Sequence, residues 1–270
     1  MADDLFERTW RCLITTDIAD KLLCVQQLVA SWHMGKLQLG HASPCRELEQ
    51  AGLPAALQLV HPTKVPRRRL GSREGRIALL HAVAHIEFSA INLALDAVYR
   101  FRNMPAQYYA DWLRVAAEEC YHFALVRQQL LRLDSDYGHL PAHSGLWEVA
   151  RYSAEDVLIR MALVPRVLEA RGLDVTPDMI RRVTEVGDSA FADILRIIFR
   201  DEIRHVRTGS LWFNYICTGR KLAPESTFEN ILQQYKSDLN AHINGPFEIE
   251  ARLQAGFTPV ELDRLRYEMQ

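Results

Sequence analysis

Glu118-Glu119-Cys120-Tyr121-His122-Phe123 and, further along, Asp201-Glu202-Ile203-Arg204-His205-Val206 each place Glu-x-x-His on a helical stripe that is otherwise apolar. At 3.6 residues per turn Glu119 and His122 share a side with Trp112, Val115, Ala116, Phe123 and Val126, and Glu202 and His205 with Leu195, Ile198, Phe199, Val206 and Gly209. A carboxylate buried there without a partner costs several kcal/mol or takes up a proton. Residues i and i+3 project together, about 60° apart, so each pair can offer one carboxylate oxygen and one imidazole nitrogen to a metal ion. One such pair is weak evidence, because Glu-x-x-His is common on solvated faces. Two pairs on apolar stripes are much stronger.

Each pair is preceded by a helix that offers a further glutamate. Glu87 lies among Leu80, Val83, Ala84, Ala90, Ile91 and Ala94, 32 residues before Glu119, and Glu169 comes 33 residues before Glu202. A chain that climbs one helix and descends the next by equal amounts returns to the same height. For Glu169 this requires residues 173–186, with a short helix from about Pro177, to continue the rise beyond a break at Gly172. The reversal then falls at Gly187-Asp188, with Asp188 capping the next helix. Glu155, about four turns before Glu169 on the same face, is the rival for the third-helix ligand. The expected metal ligands are therefore Glu87, Glu119, His122, Glu169, Glu202 and His205. Four carboxylates balance two divalent ions, and oxygen-rich ligation with one imidazole per ion suits iron or manganese better than zinc. Asp201 and Glu118 are candidates to accept from the second ring nitrogen of a ligand histidine. His81 and His85 have zinc-helix spacing, but position 82 is Ala and His85 lies about 200° from Glu87 around the helix, so packed, hydrogen-bonded histidines are expected. Cys120 is read as core. Phosphate-loop and nucleophile-elbow motifs are absent.

Periodicity extends the helical reading outward. Segments of about 76–101, 106–132, 153–171 and 189–217 form two hairpins joined by a long connector at 134–152, the ferritin-like version of a four-helix bundle. Residues 2–32 read as one or two helices with a restart at Thr16-Asp17, and 36–75 as an irregular connector with a short helix around Glu47. The tail adds a helix at about 226–243 and a short one after Thr258-Pro259. The expectation is an all-α chain: an N-terminal helical segment and connector (1–75), the di-metal bundle (76–220) and a C-terminal helical tail packed on it (221–270).

Composition agrees with this reading. The 270 residues are 49% hydrophobic, enough for a substantial core, and 32 basic against 34 acidic side chains give a net charge of -2. Near-neutrality argues against a surface built to track nucleic acid or an anionic membrane. The one basic run, Lys64 to Arg69, reads as a solvated loop. Gly (13) and Pro (11) are too few for an all-β chain with a turn every ten residues. Five scattered cysteines without Cys-x-x-Cys spacing argue against a disulfide framework or thiolate zinc site, and so for a reducing compartment. With an acidic start and no run of 18 apolar residues, a soluble cytoplasmic protein is expected.

The stretches Leu80 to Glu87, Glu118 to Phe123, Arg160 to Asp174 and Asp201 to Val206, with Gly245-Pro246-Phe247, together resemble a ferritin-like bacterial family classed as a domain of unknown function, over most of the chain. Asp201-Glu202-Ile203-Arg204-His205 also resembles the Asp-Glu-x-Arg-His motif of bacterial di-iron monooxygenases. The resemblance implies a dinuclear iron or manganese centre on the Glu, Glu-x-x-His, Glu, Glu-x-x-His set. It supplies no substrate; the expected function is a di-iron oxidoreductase that uses dioxygen to oxidise a small-molecule substrate, with electrons from a donor. A related tRNA-modifying hydroxylase makes an RNA substrate conceivable, with Arg67-Arg68-Arg69 as phosphate contacts, although the charge balance disfavours it. The alternative is a ferritin-like storage or ferroxidase protein without an organic substrate; the irregular connector and the tail are long additions that a cage subunit does not need. A homo-oligomer is compatible with either.

Overall fold

The computed structural model describes residues 3–40, 45–65, 70–239 and 245–267, and the chain is all-α. Its contacts divide it into two compact units, Met1–Arg151 and Tyr152–Gln270.

In the first unit α1 (Leu5–Ile14) and α2 (Ile18–His33) each start on an aspartate cap. Asp4 Oδ1 accepts from the Phe6 and Glu7 amides, and Asp17 accepts from the Asp20 amide, so the restart lies where the sequence places it. After Gly35, in the left-handed region at φ +66°, two residues of β2 (Leu37–Gln38) pair in parallel with β1 (Asp3–Asp4). Contrary to the sequence expectation, one pair of cysteines is disulfide-bonded. Cys12 on α1 and Cys24 on α2 have Cα atoms 5.4 Å apart, because the helix pair brings together positions that no sequence spacing flags.

The connector carries no helix at Glu47, where one was expected; among its described residues before Arg73 only the 3-10 turn Pro62–Lys64 is helical. Its backbone is committed elsewhere. The Arg46 amide donates to the Tyr99 hydroxyl at 2.9 Å and the Gly52 amide to the Leu13 carbonyl at 2.9 Å. A Cβ on Gly52 would stand 2.2 Å from the Thr15 carbonyl oxygen, so this close crossing needs glycine. Arg67, Arg68 and Arg69 lie outside the described residues.

Helix α3 (Arg73–Arg100), capped by Ser72, is buried at every position from Glu87 to Tyr99, as expected of a helix packed on all sides. It is long and apolar enough by composition to cross a membrane, but 67% of that stretch is buried within the protein. Lys21 shares this core: its ammonium donates to Asn92 Oδ1 at 2.6 Å and the Leu13 carbonyl at 3.1 Å, and burial pushes its pKa down to about 7. The chain reverses through Asn103, left-handed at φ 65°, into α4 (Ala106–Arg132). The long connector after α4 contains α5 (Gly145–Tyr152), whose Trp147 indole donates to the Glu49 carbonyl at 2.9 Å.

His81 and His85 are hydrogen-bonded within this unit, as their sequence setting suggested. His85 uses its two nitrogens on the Tyr137 hydroxyl (2.8 Å) and the His143 carbonyl (2.9 Å). His81 Nε2 accepts from the Gly138 amide at 3.0 Å and the Leu140 amide at 3.4 Å, a role that only the neutral ring can fill. Burial first, then the neighbouring histidines, lowers its pKa to about 4. Between pH 6.5 and 4 the unfolded chain therefore takes up a proton that the folded chain refuses, so this group costs stability as pH falls, about 3 kcal/mol in all. Unfolding free energy measured over that range should fall less steeply for His81→Gln than for the wild type. Parallel curves would refute the assignment.

The second unit opens with α6 (Val157–Leu163), a π-helical segment (Val164–Glu169) and α7 (Ala170–Glu185), which follow one another without interruption. Gly172 lies inside α7 and does not break it, so the helix does not restart at Pro177. The continued rise to Gly187 nevertheless holds, with Gly187 at φ +80° and Asp188 capping α8 (Ser189–Gly219) through the Phe191 amide. Pro165 explains the π segment. A proline inside a helix offers no N–H and crowds the preceding turn, and here the Ala170 amide reaches back five residues to the Pro165 carbonyl. The tail forms α9 (Pro224–Gln234), α10 (Lys236–Leu239), α11 (Ile249–Gln254) and α12 (Pro259–Tyr267). Buried ion pairs tie it to the hairpin: Arg252 to Asp174 and Arg166 to Glu261, both at 2.7 Å.

Candidate metal centre

Helices α3 and α4 form the hairpin that the equal-height argument requires, with Asn103 midway between Glu87 and Glu119. Glu87 is 3% exposed, and Glu119 and His122 are fully buried. His122 Nδ1 lies 3.2 Å from Glu87 Oε2 and 3.4 Å from Glu119 Oε2. One ligand atom from each of the three residues lies within 4.8 Å of the others. Phe88 and Phe123, the next residue along from Glu87 and from His122, meet edge to face at 5.0 Å, and Tyr137 packs on both. This buried Glu/His group could hold a metal ion.

The electrostatics fit that reading. Burial opposes a charge on His122, yet the hydrogen bonds it donates to Glu119 and Glu87, and then their charges, raise its pKa to about 11. Two carboxylates and one imidazolium in a dry pocket sum to -1. A divalent ion would displace the imidazole proton and leave the group neutral.

In the second unit Glu202 and His205 stand one turn apart on α8, with His205 Nδ1 3.6 Å from Glu202 Oε1. His205 is buried and Glu202 half-buried. Glu169 ends the π segment, half-buried, whereas Glu155 lies in an exposed bend before α6 and shares no helical face with it. Asp201 is buried and held on its own helix by Arg200 (2.9 Å) and Arg204 (2.8 Å). Glu118 faces a groove of ≈ 510 Å³ shared with His33, Asp111, Arg114 and Tyr121.

The π turn escapes sequence reasoning about the site, although Pro165 signals it. A Cβ on Gly209 of α8 would lie 2.2 Å from Cβ and Cγ of Pro165, so the glycine in the Glu202 stripe is the socket for that ring.

The model of a family described as "Protein of unknown function (DUF455)" matches residues 14–263. The chain belongs to that family. A relative from Haemophilus influenzae, described as "Uncharacterized protein", is 43% identical over 261 residues, covering 94% of this chain and 87% of its own length. No solved structure matches.

Proposed function

We propose that this family member is a dinuclear metal oxidoreductase of the ferritin-like kind, binding two iron ions, an iron–manganese pair or two manganese ions, and oxidising a small organic substrate with dioxygen. The observation that supports it most is the convergence of Glu87, Glu119 and His122 in an apolar hairpin core. The sequence repeats that donor set in Glu169, Glu202 and His205. On this reading each triad serves chiefly one ion. Such ions, when bound, would supply Lewis acidity and the electrons that dioxygen chemistry needs. The chain's own share is different. Phe88 and Phe123 keep water from the ligands, His122 gives up its proton to bind, and the π turn fixes where Glu169 emerges from its helix.

Elemental analysis of protein made in iron-replete cells should find about two transition-metal ions per chain, and Glu202→Ala combined with His205→Ala should remove them. One zinc per chain, unchanged in the variant, would overturn the two-metal reading. Light scattering and iron titration separate enzyme from storage. A small oligomer that saturates at two ions fits an oxidoreductase, and a large shell that takes up far more iron supports storage. Depletion of an electron donor with oxygen uptake, stimulated by a small-molecule extract rather than by tRNA, would favour the former.

A further inference from the structure

Arg166 is 2% exposed, yet its guanidinium is only partly satisfied. Its Nη2 donates to Glu261 at 2.7 Å, while the buried Nε and Nη1 have no hydrogen-bond partner. Three phenyl rings, Phe213, Phe228 and Phe257, lie 4.1 to 4.7 Å from its central carbon. Rings so placed stabilise the cation but do not replace acceptors for in-plane N–H groups. Each buried donor left unmatched costs about 1–3 kcal/mol, so an acceptor beside Arg166 would be worth a measurable part of the protein's stability.

The structure supplies a place for one. A cavity of about 10 Å³ within the second unit is lined by Arg166 and by Arg252, itself 3% exposed. Phe228, Phe247 and aliphatic side chains complete its described walls. The carboxylates that neutralise the two arginines, Glu261 and Asp174, are not among them. Among the described residues, the polar side chains facing this space are therefore hydrogen-bond donors only. A water molecule could accept from them but would find no side-chain acceptor for its own hydrogens, whereas a monatomic anion only accepts. The volume suits one small occupant.

We propose that this cavity is a structural binding site for a single halide ion, chloride in the cell, held by Arg166 and Arg252 where the C-terminal tail joins the second hairpin. Halide seated there completes the hydrogen bonding of Arg166 and locks α9, α11 and α12 onto the π segment that carries it. The site is independent of the metal centre.

Crystals of the full chain grown in bromide should give an anomalous peak within hydrogen-bonding distance of Arg166. In solution the melting temperature at constant ionic strength should rise by about 3 °C on exchanging gluconate for saturating chloride. Leu232→Phe, which fills the cavity and leaves both arginines in place, should lose the peak and the rise. No peak with equal melting temperatures in the two salts would overturn the site. So would a peak without any chloride dependence, an adventitious ion only, or a rise that Leu232→Phe retains, a general salt effect.

Discussion

On the proposed reading of the Glu87, Glu119 and His122 cluster, chelation is expected to lower the melting temperature by about 10 °C, since an ion present at a thousand times its dissociation constant stabilises by about 4 kcal/mol. The sign of the accompanying variant is the sharper test. In Glu119→Gln the chelator should have almost no effect, because one carboxylate ligand is gone. In metal-free protein the same variant should melt no lower than the metal-free wild type. The reason is charge: Glu87, Glu119 and protonated His122 sum to -1 in a pocket where all three are at most 3% exposed, and the amide leaves a neutral Glu87–His122 pair. If the cluster were instead a structural ion pair, breaking it would cost about 3–5 kcal/mol whether or not metal is present. Thermal unfolding of both proteins, with chelator and after anaerobic readdition of Fe(II) or Mn(II), distinguishes the two.

Gly209→Ala should destabilise the second unit by about 2 kcal/mol, although glycine-to-alanine inside a helix ordinarily gains up to about 1 kcal/mol. The contact decides the sign. The added methyl would stand 2.2 Å from two atoms of the Pro165 ring, a rigid group at the start of the π segment that has no rotamer to retreat into. Adding Pro165→Ala should recover most of the loss, giving a coupling of about 1–2 kcal/mol in a double-mutant cycle by urea unfolding. Additive losses would mean that the two positions do not share this contact. Because Glu169 ends the same segment, Gly209→Ala is also expected to weaken metal retention during dialysis.

Most of the helical skeleton was legible because it rests on local physics. Asp4, Asp17, Ser72 and Asp188 sit at the helix starts and accept the first free amides. Apolar stripes at helical spacing mark α3, α4 and α8. The break expected at Gly172 did not occur because glycine in a helix costs only about 1 kcal/mol, less than the packing of α7 on its neighbours returns. The helix expected at Glu47 fails for the opposite reason. Tyr99 and Leu13 claim the backbone amides of Arg46 and Gly52, and a partner 53 residues away leaves no periodic trace. The Cys12–Cys24 disulfide was hidden likewise, since α1 and α2 had to pack before two unremarkable positions became neighbours.

The sequence by itself determined the all-α class, the hairpin turns and the identity of residues that have no reason to be charged on apolar stripes, because helix periodicity and desolvation cost can be read along one chain. Tertiary structure alone decided that Glu87 and Glu119 meet on the same nitrogen of His122, that Pro165 needs Gly209, and that Arg166 is buried with donors to spare. Each of these depends on distances between helices, which side-chain volume and packing set and no single helix encodes.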